Sequence, residues 1–85
     1  MKVFQFTITD PDGIHARPAG LLLKKVKACT SKATLRFGEK SADLTKLFAV
    51  MGLAVKQGNT VSVTVEGPNE EKDAADLEDF FKSNL

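Results

Sequence analysis

A two-layer α+β fold is predicted for these 85 residues by three observations. Phe4, Phe6 and Ile8, then Ala33, Leu35 and Phe37, then Val61, Val63 and Val65 alternate with mostly polar neighbours, as half-buried strands do. Other stretches repeat apolar residues at three- and four-residue intervals, the pattern of amphipathic helices. Both kinds of element keep a polar side, so helices should cover one face of a sheet and leave the other face to water.

The elements follow in order along the chain. A first strand over about residues 2–9 ends in Asp10-Pro11-Asp12-Gly13, a run of turn residues. A helix over about 16–28 comes next, with Ala19, Leu22, Leu23 and Val26 as its inner stripe and Pro18 in its first turn, where the missing N–H has no intrahelical partner to lose. Arg17, Gly20, Lys24 and Lys27 share the opposite face. Glycine in a helix interior costs ~1 kcal/mol relative to alanine, so Gly20 suggests close approach by another backbone or surface. Strands over 32–37 and 40–43 are joined by a hairpin turn at Gly38-Glu39. Asp43 or Thr45 is placed to cap a short helix over 46–54, whose Leu47, Phe48, Val50, Met51 and Leu53 make it apolar on more sides than one core face requires. Leu47, Phe48 and Met51 are therefore candidates for an exposed contact patch, with full burial as the alternative. Gln57-Gly58-Asn59 stops this helix, and residues 60–66 form the cleanest alternating strand. Asn69 then caps a last helix with an acidic first turn of Glu70, Glu71 and Asp73, and a buried stripe of Ala74, Leu77 and Phe81, Phe80 lying on the flank.

Length and composition narrow the function. One domain over residues 1–85 is expected, without room for a separate catalytic domain. No apolar run is long enough to span a bilayer, and the first residues lack the pattern of a signal peptide, so a cytoplasmic location without membrane insertion is expected. One cysteine, Cys29, rules out an intrachain disulfide, and with one histidine it gives no zinc-like spacing, so no metal and no cofactor are expected. Cys29 is read as a small buried or half-buried residue near a helix end, without chemistry. The net charge of +1 hides a division: residues 15–58 hold nine Lys or Arg against two Asp or Glu, and residues 66–85 hold two against seven. An acidic partner surface suits the basic section.

The basic section begins with Gly13-Ile14-His15-Ala16-Arg17-Pro18-Ala19-Gly20, which sets the only histidine where a strand has ended and a helix begins. Histidine is a poor helix cap, so something other than helix stability put it there. A helix start offers unpaired backbone N–H groups, here those of Ala16 and Arg17, at the positive end of the helix dipole, a setting for a phosphate-sized anion. Arg17 adds a guanidinium that can fork onto anionic oxygens. The same field disfavours the imidazolium and leaves the neutral ring, which can act as a nucleophile.

Residues 13–19 closely resemble the phosphorylation-site motif of the histidine-containing phosphocarrier proteins of the bacterial phosphoenolpyruvate-dependent sugar phosphotransferase system. The resemblance extends over nearly the whole chain. It implies an open-faced β-sandwich of βαββαβα order, four antiparallel strands in the order 1-4-2-3 under three helices. It also implies a relay rather than an enzyme with its own substrate: His15 accepts a phosphoryl group on Nδ1 from enzyme I and yields it to the A domain of a sugar-specific enzyme II. Arg17 then assists at the phosphoryl group, Pro18 shapes the helix start, and the second helix lies beside the histidine and offers apolar contacts to partners. Gly20, Lys24, Lys27, Leu47, Phe48 and Met51 are the partner-binding candidates, and a monomer is expected.

Two positions depart from the family pattern. Asp12 stands near the expected phosphate position, where small neutral residues are common in relatives. Lys46 occupies the place of a regulatory serine that many Gram-positive relatives phosphorylate, and Thr45 is one residue out of register, so that regulation is not expected here. Three other readings stay open. A regulatory or nitrogen-related paralogue would keep the phosphohistidine with other partners, and a protein-interaction domain would carry an inert His15. A nucleic-acid module is disfavoured by the absence of Trp and Tyr.

Overall fold

The computed structural model describes residues 1–14 and 16–85; His15 lies outside the described residues. The elements are β1 (Lys2–Thr7), α1 (Ala16–Ala28), β2 (Lys32–Phe37), β3 (Lys40–Asp43), α2 (Leu47–Gly52), β4 (Thr60–Glu66) and α3 (Glu70–Asn84). The four strands form one antiparallel sheet in the order β1-β4-β2-β3. This is the predicted open-faced sandwich. No helix among the described residues is long and apolar enough to cross a membrane.

Strand alternation divides the sheet into two faces. Val61, Val63 and Val65 of β4, with Ala33 and Leu35 of β2, are buried under the helices. On the other face Val3, Thr64, Thr34 and Asp43 follow one another across the four strands, and Gln5, Ser62, Arg36 and Ser41 form the next row. That face is polar because nothing covers it. On the covered side Leu22 and Val26 of α1 and Leu77 and Phe81 of α3 close the core. Phe81 is completely buried, and the rings of Phe4 and Phe6 meet it edge-on at centroid distances of 5.7 and 5.5 Å. Such pairs contribute about 0.5–1.5 kcal/mol each beyond burial, and they fix α3 against β1.

Two element bounds and the buried set of α1 depart from expectation. β1 ends at Thr7, although Ile8 is still buried as its alternation requires. In α1 Pro18 joins the buried set, and Leu23 is only half-buried. The second helix is shorter than predicted: Leu53 N–H bonds to the Val50 carbonyl, tightening the last turn, and Ala54 reverses the chain with φ of 55°. Gly52, which could have adopted that left-handed conformation at less cost, lies inside the helix instead.

Neither predicted cap operates as one. Asp43 Oδ1 accepts from the backbone N–H of Thr45 (2.8 Å) and from its hydroxyl (2.7 Å), a turn that precedes α2 and leaves Lys46 as the N-cap without a side-chain bond. Asn69 stands at the N-cap of α3, but its side chain donates instead to Thr30 Oγ1 at 3.1 Å. The link from this end of α3 to the α1–β2 loop is completed inside the protein, where Ser31 Oγ donates to Asp73 Oδ2 at 2.6 Å. Asp73 is only 6% exposed, and the Ser31 bond holds its carboxyl below the usual carboxylate range.

The reversal at Ala54 carries Val55 to the turn that precedes α1. Ile14 N–H donates to the Val55 carbonyl at 3.1 Å, and Gly13, at φ of +67°, faces the same backbone. A side chain at Gly13 would fall on the Val55 oxygen and within 2.7 Å of Lys56 Cα. Gly38 also has a positive φ, of +62°, but faces open space.

Two stability predictions follow from these contacts. Gly13→Ala should cost at least about 3 kcal/mol in urea unfolding, because clash adds to backbone strain, whereas Gly38→Ala should show strain alone, about 1–2 kcal/mol. Equal costs would show that the Gly13–Val55 approach is not tight. Ser31→Ala should cost about 2 kcal/mol at neutral pH by leaving a buried carboxylate short of a donor. A depressed carboxyl stabilises the fold above its unfolded value, about 4, and loses that contribution as pH falls through the folded value. The gap between the unaltered protein and Ser31→Ala should therefore narrow as pH falls from neutral through the acid range, and a pH-independent gap would contradict this assignment.

Candidate functional site

The loop that leads to α1 is held along its whole described length. From Ile8 to Ile14 every backbone N–H, Pro11 having none, reaches an acceptor: Ile8 to the Asn59 carbonyl (2.9 Å), Thr9 and Asp10 to the Leu85 oxygen (2.5 and 2.7 Å), Asp12 to Asp10 Oδ1 (2.8 Å), Gly13 to the Asp10 carbonyl (2.9 Å) and Ile14 to the Val55 carbonyl (3.1 Å). Among the described residues 8–14, these bonds leave no N–H free for a ligand. The first turn of α1 differs, since helix geometry gives the N–H groups of Ala16 and Arg17 no carbonyl four residues back within the helix. Free donors thus begin where the loop ends.

Ala16 and Arg17 are exposed, and Pro18 and Ala19 are buried beneath them. Arg17 makes no ion pair among the described residues. Its side chain is therefore available for an external anion. Asp12 is exposed beside it, with its N–H already committed to Asp10. Arg17, Pro18 and Leu21 line a shallow open groove with Asp10, Asp12 and Asn84. A groove of this kind suits contact with another surface better than enclosure of a small substrate.

Of the other sequence candidates, Gly20 is half-buried, and a side chain there would meet nothing within 4 Å. Among the described residues nothing outside the helix's own backbone approaches it closely, so the approach that the sequence suggested does not come from these. Lys24 and Lys27 are exposed on α1. On α2, which packs against α1, Leu47 and Met51 are half-buried against the core, while Phe48 is 85% exposed. The predicted patch is thus one fully exposed ring with two partly covered neighbours. Lys46 is exposed at the start of α2, where a positive side chain opposes the helix dipole, and Thr45 spends its hydroxyl on Asp43.

Sequence reasoning missed two features of this region. Leu21 is 44% exposed next to Gly20. The helical stripe could have disclosed it, since Ala19, Leu22 and Val26 already fill the inner face. The convergence of the Leu85 oxygen and Val55 on the loop had no signal in the sequence, because backbone acceptors carry no residue type. Cys29 is half-buried at the end of α1, its thiol donating to the Lys25 carbonyl at 3.3 Å and pushed up in pKa by burial. This is an inert environment.

Known proteins share this fold. The family model described as the PTS HPr component phosphorylation site matches residues 2–83. The chain is 47% identical over 72 residues to the phosphocarrier protein HPr of Lysinibacillus sphaericus, covering 85% of this chain and 82% of that one. It is 35% identical over 68 residues to the HPr of Buchnera aphidicola, covering 80% of each. The crystal structure of an HPr from Thermoanaerobacter tengcongensis superposes with a TM-score of 0.92 at 31% identity, covering 98% of this chain and 93% of that one. Fold, motif and overall likeness agree, and the chain belongs to the HPr family of phosphocarrier proteins of the phosphotransferase system.

Proposed function

We propose that this chain works as one carrier domain in the cytoplasm, taking a phosphoryl group from phospho-enzyme I on His15 and yielding it to the A domain of a sugar-specific enzyme II. The observation that carries this reading is the contrast on the two sides of His15: residues 8–14 keep no N–H free, and the first turn of α1 with Arg17 is exposed. In the transfer, the lone pair of His15 Nδ1 attacks phosphorus as the bond to the enzyme I donor atom breaks. Arg17 and the N–H groups of Ala16 and Arg17 meet the phosphoryl oxygens, and Pro18 sets the direction of the turn. Imidazole is both nucleophile and leaving group, so the same site can give up what it takes. The carrier needs no metal or cofactor of its own in this scheme, because positioning and charge supply most of what phosphoryl transfer requires.

Docking falls to the surface around that turn. Phe48, Leu21 and the exposed edges of Leu47 and Met51 give an apolar centre, Gly20 lets a partner backbone come close, and Lys24, Lys27 and Lys46 give a basic rim. Apolar centre and charged rim are the usual division between affinity and steering. The carrier acts as a monomer in this reading, since the same surface must face each partner in turn.

Incubation with phosphoenolpyruvate and enzyme I should give an acid-labile, base-stable label on the protein, absent from His15→Ala with the fold intact. No label on the folded protein with active enzyme I would sink the relay reading. Arg17→Ala should slow transfer about 100-fold, the usual loss when one charged donor to a transition state is removed. Phe48→Ala should raise KM for enzyme I about tenfold with an unchanged melting temperature, as expected of an exposed anchor. Lys46→Glu should weaken enzyme I binding most at low salt; affinity unchanged at low salt would remove Lys46 from the docking surface.

A further inference from the structure

One backbone oxygen carries more of the site loop than any other acceptor. The Leu85 oxygen receives the Thr9 N–H (2.5 Å), the Asp10 N–H (2.7 Å) and the Thr9 hydroxyl (2.9 Å). Three donors converge on this one oxygen and share its two lone pairs. Leu85 is itself firmly placed. Its side chain is 3% exposed, and its N–H donates at 2.9 Å to the carbonyl of Phe81, the completely buried ring at the centre of the core. On the opposite side the Thr9 carbonyl accepts from Gln57 Nε2 at 3.1 Å, and Gly58 N–H reaches the Ile8 carbonyl at 2.8 Å. Thr9 thereby joins the end of β1, the end of α3 and the loop before β4.

We propose that Leu85, through its backbone oxygen, and Thr9 are positioning residues for phosphoryl transfer at His15. Neither touches the phosphoryl group. Asp10, held by Leu85, in turn accepts from Asp12 and Gly13, so the rigidity of the Phe81 core passes through α3 and Asp10 into the turn before the histidine. Transfer between two proteins requires the accepting nitrogen to meet phosphorus in line, and small misplacements cost rate rather than affinity. The proposal rests on the relay reading and adds to it a role for an element outside the α1–α2 docking surface.

The test compares four forms of the chain: unaltered, ended after Asn84, Leu85→Ala and Thr9→Val. Hydrogen exchange at the Thr9 and Asp10 amides and the kcat and KM of phosphorylation by phospho-enzyme I are measured for each. Loss of residue 85 should speed exchange at both amides and lower kcat about tenfold with KM unchanged, because the docking surface is untouched. Leu85→Ala keeps the oxygen and should recover most of that kcat despite a lower melting temperature, which a merely structural role would not allow. Thr9→Val should lower kcat in the same direction by about two- to threefold, and this exposed substitution keeps the test open should the shortened chain not fold. Equal losses in the shortened chain and Leu85→Ala, or a wild-type kcat in the shortened chain, would overturn the proposal. So would a wild-type kcat in Thr9→Val. An unaltered protein that takes no label would overturn the relay reading and the proposal together, a pattern distinct from the others.

Discussion

The approach of Gly13 to the Val55 carbonyl is the contact on which the site depends. It joins two loops far apart in the chain, and it requires a residue without a side chain, because any Cβ would fall on the opposing backbone. The Val55 oxygen is free to serve Ile14 because α2 stops early and Ala54 turns the chain back in a conformation that alanine adopts only at a cost. Backbone strain at Ala54 and the missing side chain at Gly13 are thus two halves of one arrangement, which sets the direction in which the chain enters α1.

A carrier that serves two partners has different requirements from an enzyme with its own substrate. It must present its nucleophile without enclosing it, and it must hold the phosphoryl group only moderately, since a group bound too well would not leave. On the proposed relay reading, the fold meets both needs by separating tasks. The loop before α1 uses its own N–H groups internally and so provides rigidity without binding capacity. The exposed turn after it provides few donors and one guanidinium. Arg17, Lys24, Lys25 and Lys27 lie on α1 and Lys46 precedes α2, while the acidic excess lies in α3, so an acidic surface approaching the start of α1 meets attraction from that helix.

Much of this was legible in the residues. Alternating valines in β4 and the stripe of Ala19, Leu22 and Val26 announced the layers because burial leaves a periodic mark in residue type. The strand order did not come from periodicity; only the likeness of residues 13–19 to a known motif supplied it. The failures share a cause. Asp43 and Asn69 carry side chains able to cap helices, and both spend them elsewhere, on Thr45 and on Thr30, because tertiary neighbours offered competing partners. The end of α2 falls earlier than expected because Gln57-Gly58-Asn59 is the visible stop signal, whereas the helix ends at Gly52 and Ala54, whose residue type gives no such signal, takes the left-handed turn. Around the site, the motif pointed to His15 and Arg17, but the backbone acceptors that hold the loop are invisible in any sequence.

On the proposed reading, the phosphoryl group is received where the hydrogen-bonded residues 8–14 give way to the open first turn of α1. Amide ¹H–¹⁵N spectra recorded before and after phosphorylation by enzyme I test it most directly. The largest shifts should fall on Ala16 and Arg17, with smaller ones over residues 8–14, whose N–H groups are already engaged, and almost none across Lys32, Thr34 and Arg36 on the open sheet face. Shifts centred on that sheet face, or on the loop amides in preference to Ala16 and Arg17, would contradict the account.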